Sequence, residues 1–491
     1  MPLDDTGRTL FERSRPGQRG TGALEWDIPR PGLAALIPDK FRRKALPRLP
    51  ELSEGEVVRH FVNLSTKNHH IDKGFYPLGS CTMKYNPKVH ETLARLPGFT
   101  TLHPMQPAET IQGALELMWR LERMLAEISG MDAVSLQPAA GAHGELTSLL
   151  VVRAWHLSRG EDRRKVLIPD SAHGTNPASA AIAGFECVTV RSGPDGRVDV
   201  DDLKSKLNSD VAAFMITNPN TVGLFETRVE EICSACHSVG AQVYMDGANL
   251  NALVGIARPG DLGFDLMHFN LHKTFTTPHG GGGPGCGPIG VKSHLAPFLP
   301  SPRVTHHDGA YGLDRPSTSI GPVHGAFGNF LMMVRAYAYV LAMGPEGMAD
   351  IGHTAVLNAN YLYGKIKGSL QTKYAGPYMH EFVLDGSPLK KNDLHTSDFA
   401  KRLLDYGVYA PTIYFPLIVP EAMMIEPTET ESKATLDEFA EIFLEVWRQS
   451  REEPDTVRTA PHNLHLRRVD DVKAAKDLVL THPFGTPGSA G

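Results

Sequence analysis

The feature that most constrains the fold is a regular alternation of short apolar runs with amphipathic segments. The apolar runs have the length of buried strands, whereas segments such as 145–156 and 201–207 have helical spacing. This alternation predicts an α/β fold with a mostly parallel sheet that helices cover on both faces. Ligands of such sheets bind beyond the carboxyl ends of the strands. The predicted strands are 133–136, 165–168, 187–190, 211–216 and 242–245.

The domain organisation follows from length and composition. A chain of 491 residues is too long for one compact core, so we expect two domains with extensions. Residues 1–60 are rich in proline and have little periodicity, which predicts an extended N-terminal arm. This arm is either ordered against a partner subunit or a loosely packed leader. A large ligand-binding domain over 61–330, a smaller α+β domain over 331–475 and a tail over 476–491 complete the prediction.

Charge and termini argue against several classes of function. The 49 basic and 55 acidic residues give a net charge of -6, which is no general footprint for nucleic acid. The N-terminus is acidic and no long apolar stretch follows, so we expect neither a signal peptide nor a membrane span. Five cysteines, an odd number at low density, do not indicate a disulfide framework. We therefore expect a cytoplasmic protein that binds neither nucleic acid nor membrane.

The sequence also predicts no metal site. Cys233 and Cys236 have CxxC spacing, but no second pair follows and 229–238 has the pattern of a helix. The adjacent pairs at 69–70 and 306–307 are histidines without the spacing of zinc ligands.

Lys273 is the candidate for a lysine that forms an imine with an aldehyde cofactor. The pattern of 264–275 predicts a strand that delivers His272 and Lys273 to its end, and the glycine-rich run 280–288 follows. An amine can form an imine only when it is not permanently protonated, and a closed, partly dehydrated site favours the neutral form. Taken alone, however, a strand-end lysine more often extends to water.

Asp246 supplies the second group that such a site needs, because it follows directly after the predicted strand 242–245. A carboxylate there can pair with the pyridine nitrogen of pyridoxal phosphate and keep it protonated, which makes the ring an electron sink. Ala248 is small enough to lie beneath a flat ring. An isolated aspartate at this position could instead cap a helix. Together with Lys273, Asp246 favours the cofactor site.

The loop 137–145 enters a helix after the first predicted strand. Its glycine and alanine residues let backbone N–H groups approach an anion, and a helix start favours negative charge. This suits the cofactor phosphate, and His143 is placed to stack on the ring face opposite Ala248. Alone, the loop is a weak signal, since many strand–helix turns contain glycine.

Several segments resemble the glycine cleavage system P-protein family. The sequence LHKTF at 271–275, with PHGGGGPG at 278–285, is similar to the cofactor-lysine segment of that family. The resemblance extends from about residue 8 to about residue 475, and the chain length resembles that of its separate carboxy-terminal (β) subunit. The other similar segments are LGSCTMKYNP at 78–87, DSAHGTNP at 170–177, ITNPNTVGLFE at 216–226 and EPTETE at 426–431.

This resemblance implies a pyridoxal-phosphate-dependent transferase fold of type I and decarboxylation of glycine. It further implies transfer of the aminomethyl group to the lipoyl arm of the H-protein, and a homologous α subunit in an α2β2 heterotetramer. Carried over to this sequence, it makes Lys273 the imine lysine, Asp246 the partner of the pyridinium nitrogen and His143 the stacking residue. Gly141 and Ala142 then belong to the phosphate loop.

Other residues of the similar segments have less definite roles. We also assign Asn218, Thr221 and His272 to the cofactor site. Turn capping by asparagine and threonine explains Asn218 and Thr221 equally well, as it does the segment at 173–176. Cys81 is expected to be a small packed residue rather than a nucleophile.

Two alternatives stay open at this point. Another enzyme of fold type I, such as an aminotransferase or a sulfur-transferring lyase, would use the same lysine, aspartate and phosphate loop, and only the similar segments separate these classes. A non-catalytic subunit could keep the fold, but the presence of both Lys273 and Asp246 argues against it.

Overall fold

The computed structural model describes residues 7–18, 20, 27–29, 31–45, 47–279 and 285–480. The chain divides into two compact units, Met1–Lys73 and Gly74–Gly491. In the first unit the described helices are α1 (Leu10–Arg13), α2 (Leu33–Leu36) and α3 (Glu54–Thr66). Helix α3 begins with a capping box. The Ser53 side chain accepts from the backbone N–H of Glu56, and the Glu56 side chain accepts from the backbone N–H of Ser53.

The second unit is built on a seven-stranded sheet. Its strands are β1 (Ala133–Ser135), β2 (Lys165–Pro169), β3 (Glu186–Val190), β4 (Val211–Thr217), β5 (Gln242–Asp246), β6 (Leu266–His268) and β7 (Ile289–Val291). Their spatial order is β1-β7-β6-β5-β4-β2-β3. From β3 to β6 the neighbours pair in parallel, whereas β7 is antiparallel to both β6 and β1. The prediction of a mostly parallel sheet is confirmed.

Helices flank this sheet, which explains why β4 and β5 are buried along their whole length. Helix α6 (Gln112–Ser129) is followed by Gly130, which adopts a left-handed conformation with φ 70°. The predicted helix at 229–238 is present with the expected bounds, and those at 145–156 and 201–207 are present within four residues of theirs. The described helices from residue 74 to 240 are α4 (Lys88–Ala94), α5 (Pro97–Thr100), α6 (Gln112–Ser129), α7 (Gly141–Ser158), α8 (Thr175–Ile182), α9 (Val200–Lys206) and α10 (Val229–Ser238).

One predicted strand boundary is wrong. We expected a strand to end at His272 and Lys273, but β6 ends at His268. Residues 271–275 form turns in which the N–H groups of Lys273 and Thr274 donate to Asn270 O at 3.0 and 3.1 Å. These local hydrogen bonds replace the sheet ladder, so that Lys273 lies in a turn beyond the strand end. The glycine-rich run from 280 to 284 lies outside the described residues.

A smaller antiparallel sheet forms in the carboxy-terminal part. Its strands, in spatial order, are β10 (Gln371–Thr372), β11 (Phe382–Asp385), β13 (Ala422–Ile425) and β12 (Thr412–Ile413). It has its own apolar core, which includes Phe382, Phe399, Phe439 and Phe443. A separate hairpin joins β8 (Arg303–His307) to β9 (Ala310–Asp314). The α-helices of this part are α11 (Phe330–Ile366), α12 (Thr396–Asp405), α13 (Lys433–Glu452), α14 (Pro454–Arg458) and α15 (Asp471–Lys476).

Among the described residues, no helix combines the length and the apolar character needed to cross a membrane. The domain boundaries near 60, 330 and 475 stay predictions, and residues 481–491 of the predicted tail lie outside the described part of the chain.

Candidate active site

The candidate active site is a cavity of about 240 Å³ at the carboxyl edge of the seven-stranded sheet. Thr217, Asp246 and His268, the last residues of β4, β5 and β6, all line it. Because these strands are parallel neighbours, their ends bring distant parts of the sequence onto one wall. The other lining residues are Ser80, Ala140, Gly141, Ala142, Glu145, His173, Thr175, Thr221, Ala248, Asn270, His272 and Lys273.

Lys273 presents its amine at this cavity. Its Nζ donates to the backbone oxygen of Ser80 at 2.8 Å. Ser80 has a φ of 62°, in the left-handed region, and its N–H donates to Glu381 Oε2 at 2.7 Å. The segment around Ser80 therefore crosses close to the lysine and is fixed from the small sheet by Glu381, which precedes β11 directly.

Asp246 is buried, and two neighbours hold its carboxylate. The N–H of Ala248 donates to Oδ1 at 2.9 Å, and the amide of Asn176 donates to Oδ2 at 3.2 Å. Burial raises the pKa of Asp246, but its neighbours together lower this pKa by more than burial raises it. These neighbours are His268, the N–H of Ala248, Lys273 and Asn176. The net pKa of Asp246 lies below its ordinary value, so the group is an anion at neutral pH.

His268 lies against this carboxylate, with Nε2 3.6 Å from Asp246 Oδ1. The Tyr244 hydroxyl lies 2.5 Å from Nδ1 of the same ring. Burial lowers the pKa of His268 and raises that of Tyr244 well above its ordinary value, so both are neutral. With Tyr244 as the donor, the ring proton is on Nε2 and faces Asp246.

The opposite side of the cavity is formed by the start of α7. Ala140 precedes the helix without a side-chain cap, so that the first N–H groups of an 18-residue helix face the region lined by Ala140, Gly141 and Ala142. A Cβ on Gly141 would lie 2.4 Å from Asn270 Oδ1, so a larger residue there would displace the Asn270 side chain. A helix start with free N–H groups and positive dipole suits a phosphate.

Glu145 is a second buried carboxyl group that the sequence did not single out. Its oxygens accept from Thr175 Oγ1 at 2.8 Å and from Ser179 Oγ at 3.3 Å. Burial, followed by the negative charge of Asp246, raises the pKa of Glu145 to about 7. Thr175, Asn176 and Ser179 all lie on α8. Glu145 therefore fixes the position of the helix whose Asn176 donates to Asp246.

The structure gathers most of the residues that we assigned to the site. Ala248 and His272 line the cavity, as does Thr221, whose hydroxyl donates to Ser171 O at 2.6 Å. His143 and Asn218 are not among the lining residues. His143 Nδ1 accepts from the N–H of Ala139 at 3.1 Å, and Asn218 Oδ1 accepts from that of Glu226 at 3.0 Å. The roles of these two residues stay predictions.

The cysteines differ from reactive thiols. Burial raises the pKa of Cys81, and it raises the pKa of Cys233 to about 12. Cys233 and Cys236 are buried without a disulfide on α10. These thiols stay protonated at neutral pH, which does not suit a nucleophile.

The cavity fits pyridoxal phosphate. It offers an amine for the aldehyde, an anionic carboxylate for the pyridine nitrogen and a helix start for the phosphate. The buried hydroxyl of Thr217, on the wall of the cavity, has no hydrogen-bond partner among the described residues and is available to a bound group. The fold and the site together define a pyridoxal-phosphate enzyme of fold type I.

Comparison with known proteins gives the family. The family model "Glycine cleavage system P-protein" matches residues 32–307, and the model "Glycine dehydrogenase, C-terminal domain" matches residues 351–466. The chain belongs to the glycine cleavage system P-protein family.

Relatives named probable glycine dehydrogenase (decarboxylating) subunit 2 are similar over nearly the whole chain. The protein from Chloroherpeton thalassium is 54% identical, with 96% of this chain and 97% of the relative covered. The protein from Fervidobacterium nodosum is 56% identical, with 96% and 99% covered. The protein from Caldanaerobacter subterraneus is 53% identical, with 97% and 99% covered.

Solved structures agree on the fold. A glycine decarboxylase (P-protein) of the glycine cleavage system, in inhibitor-bound form, superposes with a TM-score of 0.73 at 21% identity, covering 84% of this chain and 94% of that chain. A cysteine desulfurase from Thermococcus onnurineus gives a TM-score of 0.57 at 14% identity, covering 77% and 95%. The predicted fold class is confirmed.

Proposed function

We propose that the chain catalyses the decarboxylation of glycine with pyridoxal phosphate and passes the aminomethyl group to the lipoyl arm of the H-protein. It does so as part of the glycine cleavage system. The observation that carries this proposal is that Lys273 and Asp246 line one cavity, in a chain of the P-protein family. When bound, the cofactor supplies an electron sink for the electron pair that the departing CO2 leaves behind.

The residues of the chain have separate tasks in this proposal. Lys273 would hold the cofactor through its aldehyde, because the lysine amine lies at the cavity. Asp246 keeps a proton on the pyridine nitrogen, because its carboxylate is an anion held by Ala248 and Asn176. The small side chain of Ala248 leaves room for the ring beside that carboxylate.

The start of α7, at Gly141 and Ala142, binds the phosphate through backbone N–H groups. His143 provides the stacking surface, and burial lowers its pKa, so the ring is neutral and can lie against the cofactor without charge repulsion. His272 and Thr221 would hold the cofactor from the wall of the cavity, and Asn218, which directly follows β4, is assigned to the cofactor site with them.

The assembly is also part of the proposal. The name of the relatives, subunit 2, indicates that they act beside another subunit. We propose a homologous α subunit, an α2β2 heterotetramer in the cytoplasm, and the H-protein as the partner that delivers the lipoyl group.

An assay with carboxyl-labelled glycine tests the function. The chain is combined with its α partner and pyridoxal phosphate, with lipoylated H-protein either present or omitted. Release of labelled CO2 that requires the lipoylated H-protein is the expected result. Transfer of the amino group to a keto acid without release of CO2 would show an aminotransferase of the same fold instead.

A further inference from the structure

A group of buried acidic side chains lies behind Ser80, next to the site of Lys273. Glu381, Glu426 and His380 form this acid cluster, and all three are 0% exposed. One oxygen of each glutamate and one ring nitrogen of His380 lie within 4.8 Å of one another. The cluster is linked to Lys273 through the backbone of Ser80, which donates to Glu381 and accepts from Nζ.

The two glutamates have different surroundings. Glu426 accepts from the N–H of Thr82 at 2.9 Å, from its hydroxyl at 2.5 Å and from the amide of Asn251 at 3.4 Å. Glu381 accepts from Ser80 through Oε2, whereas its Oε1 has no partner among the described residues. Donors stabilise a carboxylate, so the anion belongs on Glu426 and the open Oε1 of Glu381 is the place for a proton.

His380 gives a second reason to place a proton in the cluster. Neither of its ring nitrogens has a hydrogen-bond partner among the described residues, and Nε2 lies 3.7 Å from Glu381 Oε1. Burial, followed by the charge of Lys273, lowers the pKa of His380 to about 3, so the ring is neutral. A neutral ring cannot balance a second negative charge in the cluster.

Two carboxylates this close in a dry pocket cannot both ionise easily. Burial, followed by the charge of Glu426, raises the pKa of Glu381 well above its ordinary value. Burial raises the pKa of Glu426 to about 7, although Thr82 and Lys273 lower it. The other charged or titratable groups that act on the cluster are Cys81 and Glu429.

We propose that Glu381 holds a proton on Oε1 at neutral pH while Glu426 stays a carboxylate, so that the acid cluster gives Lys273 one negative neighbour and not two. This inference rests on the proposed function, in which Lys273 is the residue that holds the cofactor.

The acid cluster is less suited to bind a divalent cation than to bind a proton. Three donors already point at the oxygens of Glu426, and Lys273 adds positive charge nearby. A proton needs only the open Oε1 of Glu381, so the acid cluster suits a proton better than a metal ion.

The test uses the full-length chain without cofactor, so that it does not depend on glycine turnover. Glu381→Gln keeps an acceptor for Ser80 and removes the proton-carrying acid. Glu381→Gln/Glu426→Gln also removes the negative charge. Glu438→Gln, at an exposed glutamate on α13, is the matched control.

Infrared difference spectra at pH 7 report protonated carboxyl groups. We expect Glu381→Gln to lose one carboxylic-acid band per chain relative to the wild type, and Glu438→Gln to lose none. An unchanged carboxylic-acid region in Glu381→Gln would overturn the proposal. Atomic emission spectroscopy measures the metal content of both proteins. One divalent metal ion per wild-type chain, absent from Glu381→Gln, would also overturn the proposal.

The pH dependence of Lys273 acetylation by acetic anhydride, measured by peptide mass spectrometry, reports the charge of the cluster. The pH at which acetylation reaches half of its maximal rate should be the same in the wild type and in Glu381→Gln, because Glu426 keeps its charge. In the double variant we expect it to fall by about one pH unit or more. An unchanged midpoint in a folded double variant would contradict a negative charge on the cluster. If the double variant does not fold, the infrared result on Glu381→Gln decides.

Discussion

The side-chain amide of Asn176 donates to Oδ2 of Asp246 at 3.2 Å, while the N–H of Ala248 donates to Oδ1 at 2.9 Å. The carboxylate at the end of β5 is thus held from α8 on one side and from its own loop on the other. Its orientation toward the cavity is fixed before any cofactor binds, which lowers the cost of binding one.

We expect Asn176→Ala to weaken the binding of pyridoxal phosphate about 10-fold, because a hydrogen bond to a charged group is lost. A fluorescence titration of the cofactor-free chain measures this. Asn360→Ala, which removes an amide bonded to Val356 O and Tyr378 O far along the chain, is the control and should leave the affinity unchanged. Equal affinities in all three proteins would contradict the positioning role of Asn176.

Asp246→Asn should keep the fold but lower the rate of glycine decarboxylation on the order of 10²-fold, since the pyridine nitrogen loses its anionic partner. Circular dichroism checks the fold, and release of labelled CO2 measures the rate. A near-normal rate in a folded variant would show that this carboxylate does not face the pyridine nitrogen.

Much of this arrangement follows from sequence patterns that are local. Apolar runs predicted β1 to β5, and the position of Asp246 directly after one of them predicted its place at the sheet edge. What the sequence did not predict depends on contacts made in three dimensions. The turn hydrogen bonds to Asn270 O end β6 before Lys273, and β7 pairs antiparallel between two strands distant in sequence.

The supporting carboxyl groups were missed for the same reason. Glu145 is part of a loop that was predicted to bind phosphate, and only the packing of α7 against α8 places it beside Thr175. Glu381 and Glu426 lie about 300 residues or more from Ser80 and Thr82 in the sequence. No spacing rule connects residues that far apart.

The buried ion pair between Lys84 and Glu429 predicts a large loss of stability when one partner is removed. Lys84 Nζ also donates to Thr274 O at 2.8 Å, next to Lys273. Lys84→Met should lower the free energy of unfolding by about 3–5 kcal/mol, because Glu429 is left buried and unpaired. Adding Glu429→Gln should restore part of the loss, as measured by urea unfolding. A double variant no more stable than Lys84→Met would contradict a penalty from the unpaired charge.

The same pair has a pH dependence. Burial lowers the pKa of Lys84, but Glu429 and Tyr339 together raise it by more, so the net pKa lies above its ordinary value. A raised lysine pKa stabilises the folded state below the pKa of the unfolded chain, and this contribution is lost as pH rises through the folded value. The stability gap between wild type and Lys84→Met should therefore persist at neutral pH and narrow in strongly alkaline solution.

Glu122 predicts a pH effect of the opposite kind. Burial raises its pKa to about 8, with Arg303 and Arg123 opposing. The folded chain holds this proton while the unfolded chain has lost it, so stability falls as pH rises from about 5 to about 8. We expect Glu122→Gln to match the wild type at pH 5 and to raise the melting temperature by a few degrees at pH 8. Glu127→Gln, on the exposed side of the same helix, should show no such gain. A gain that does not depend on pH would rule out this titration.

Reduction of the cofactor-loaded chain with borohydride, followed by peptide mapping, tests most directly whether Lys273 bonds the cofactor. We predict a pyridoxyl adduct on the peptide that contains Lys273, and none in Lys273→Ala, which should also lose glycine decarboxylation. Lys292→Ala, at a lysine that donates to Gly130 O, is the control and should keep the adduct. An adduct on a different lysine of the wild-type chain, or full activity in Lys273→Ala, would contradict the assignment.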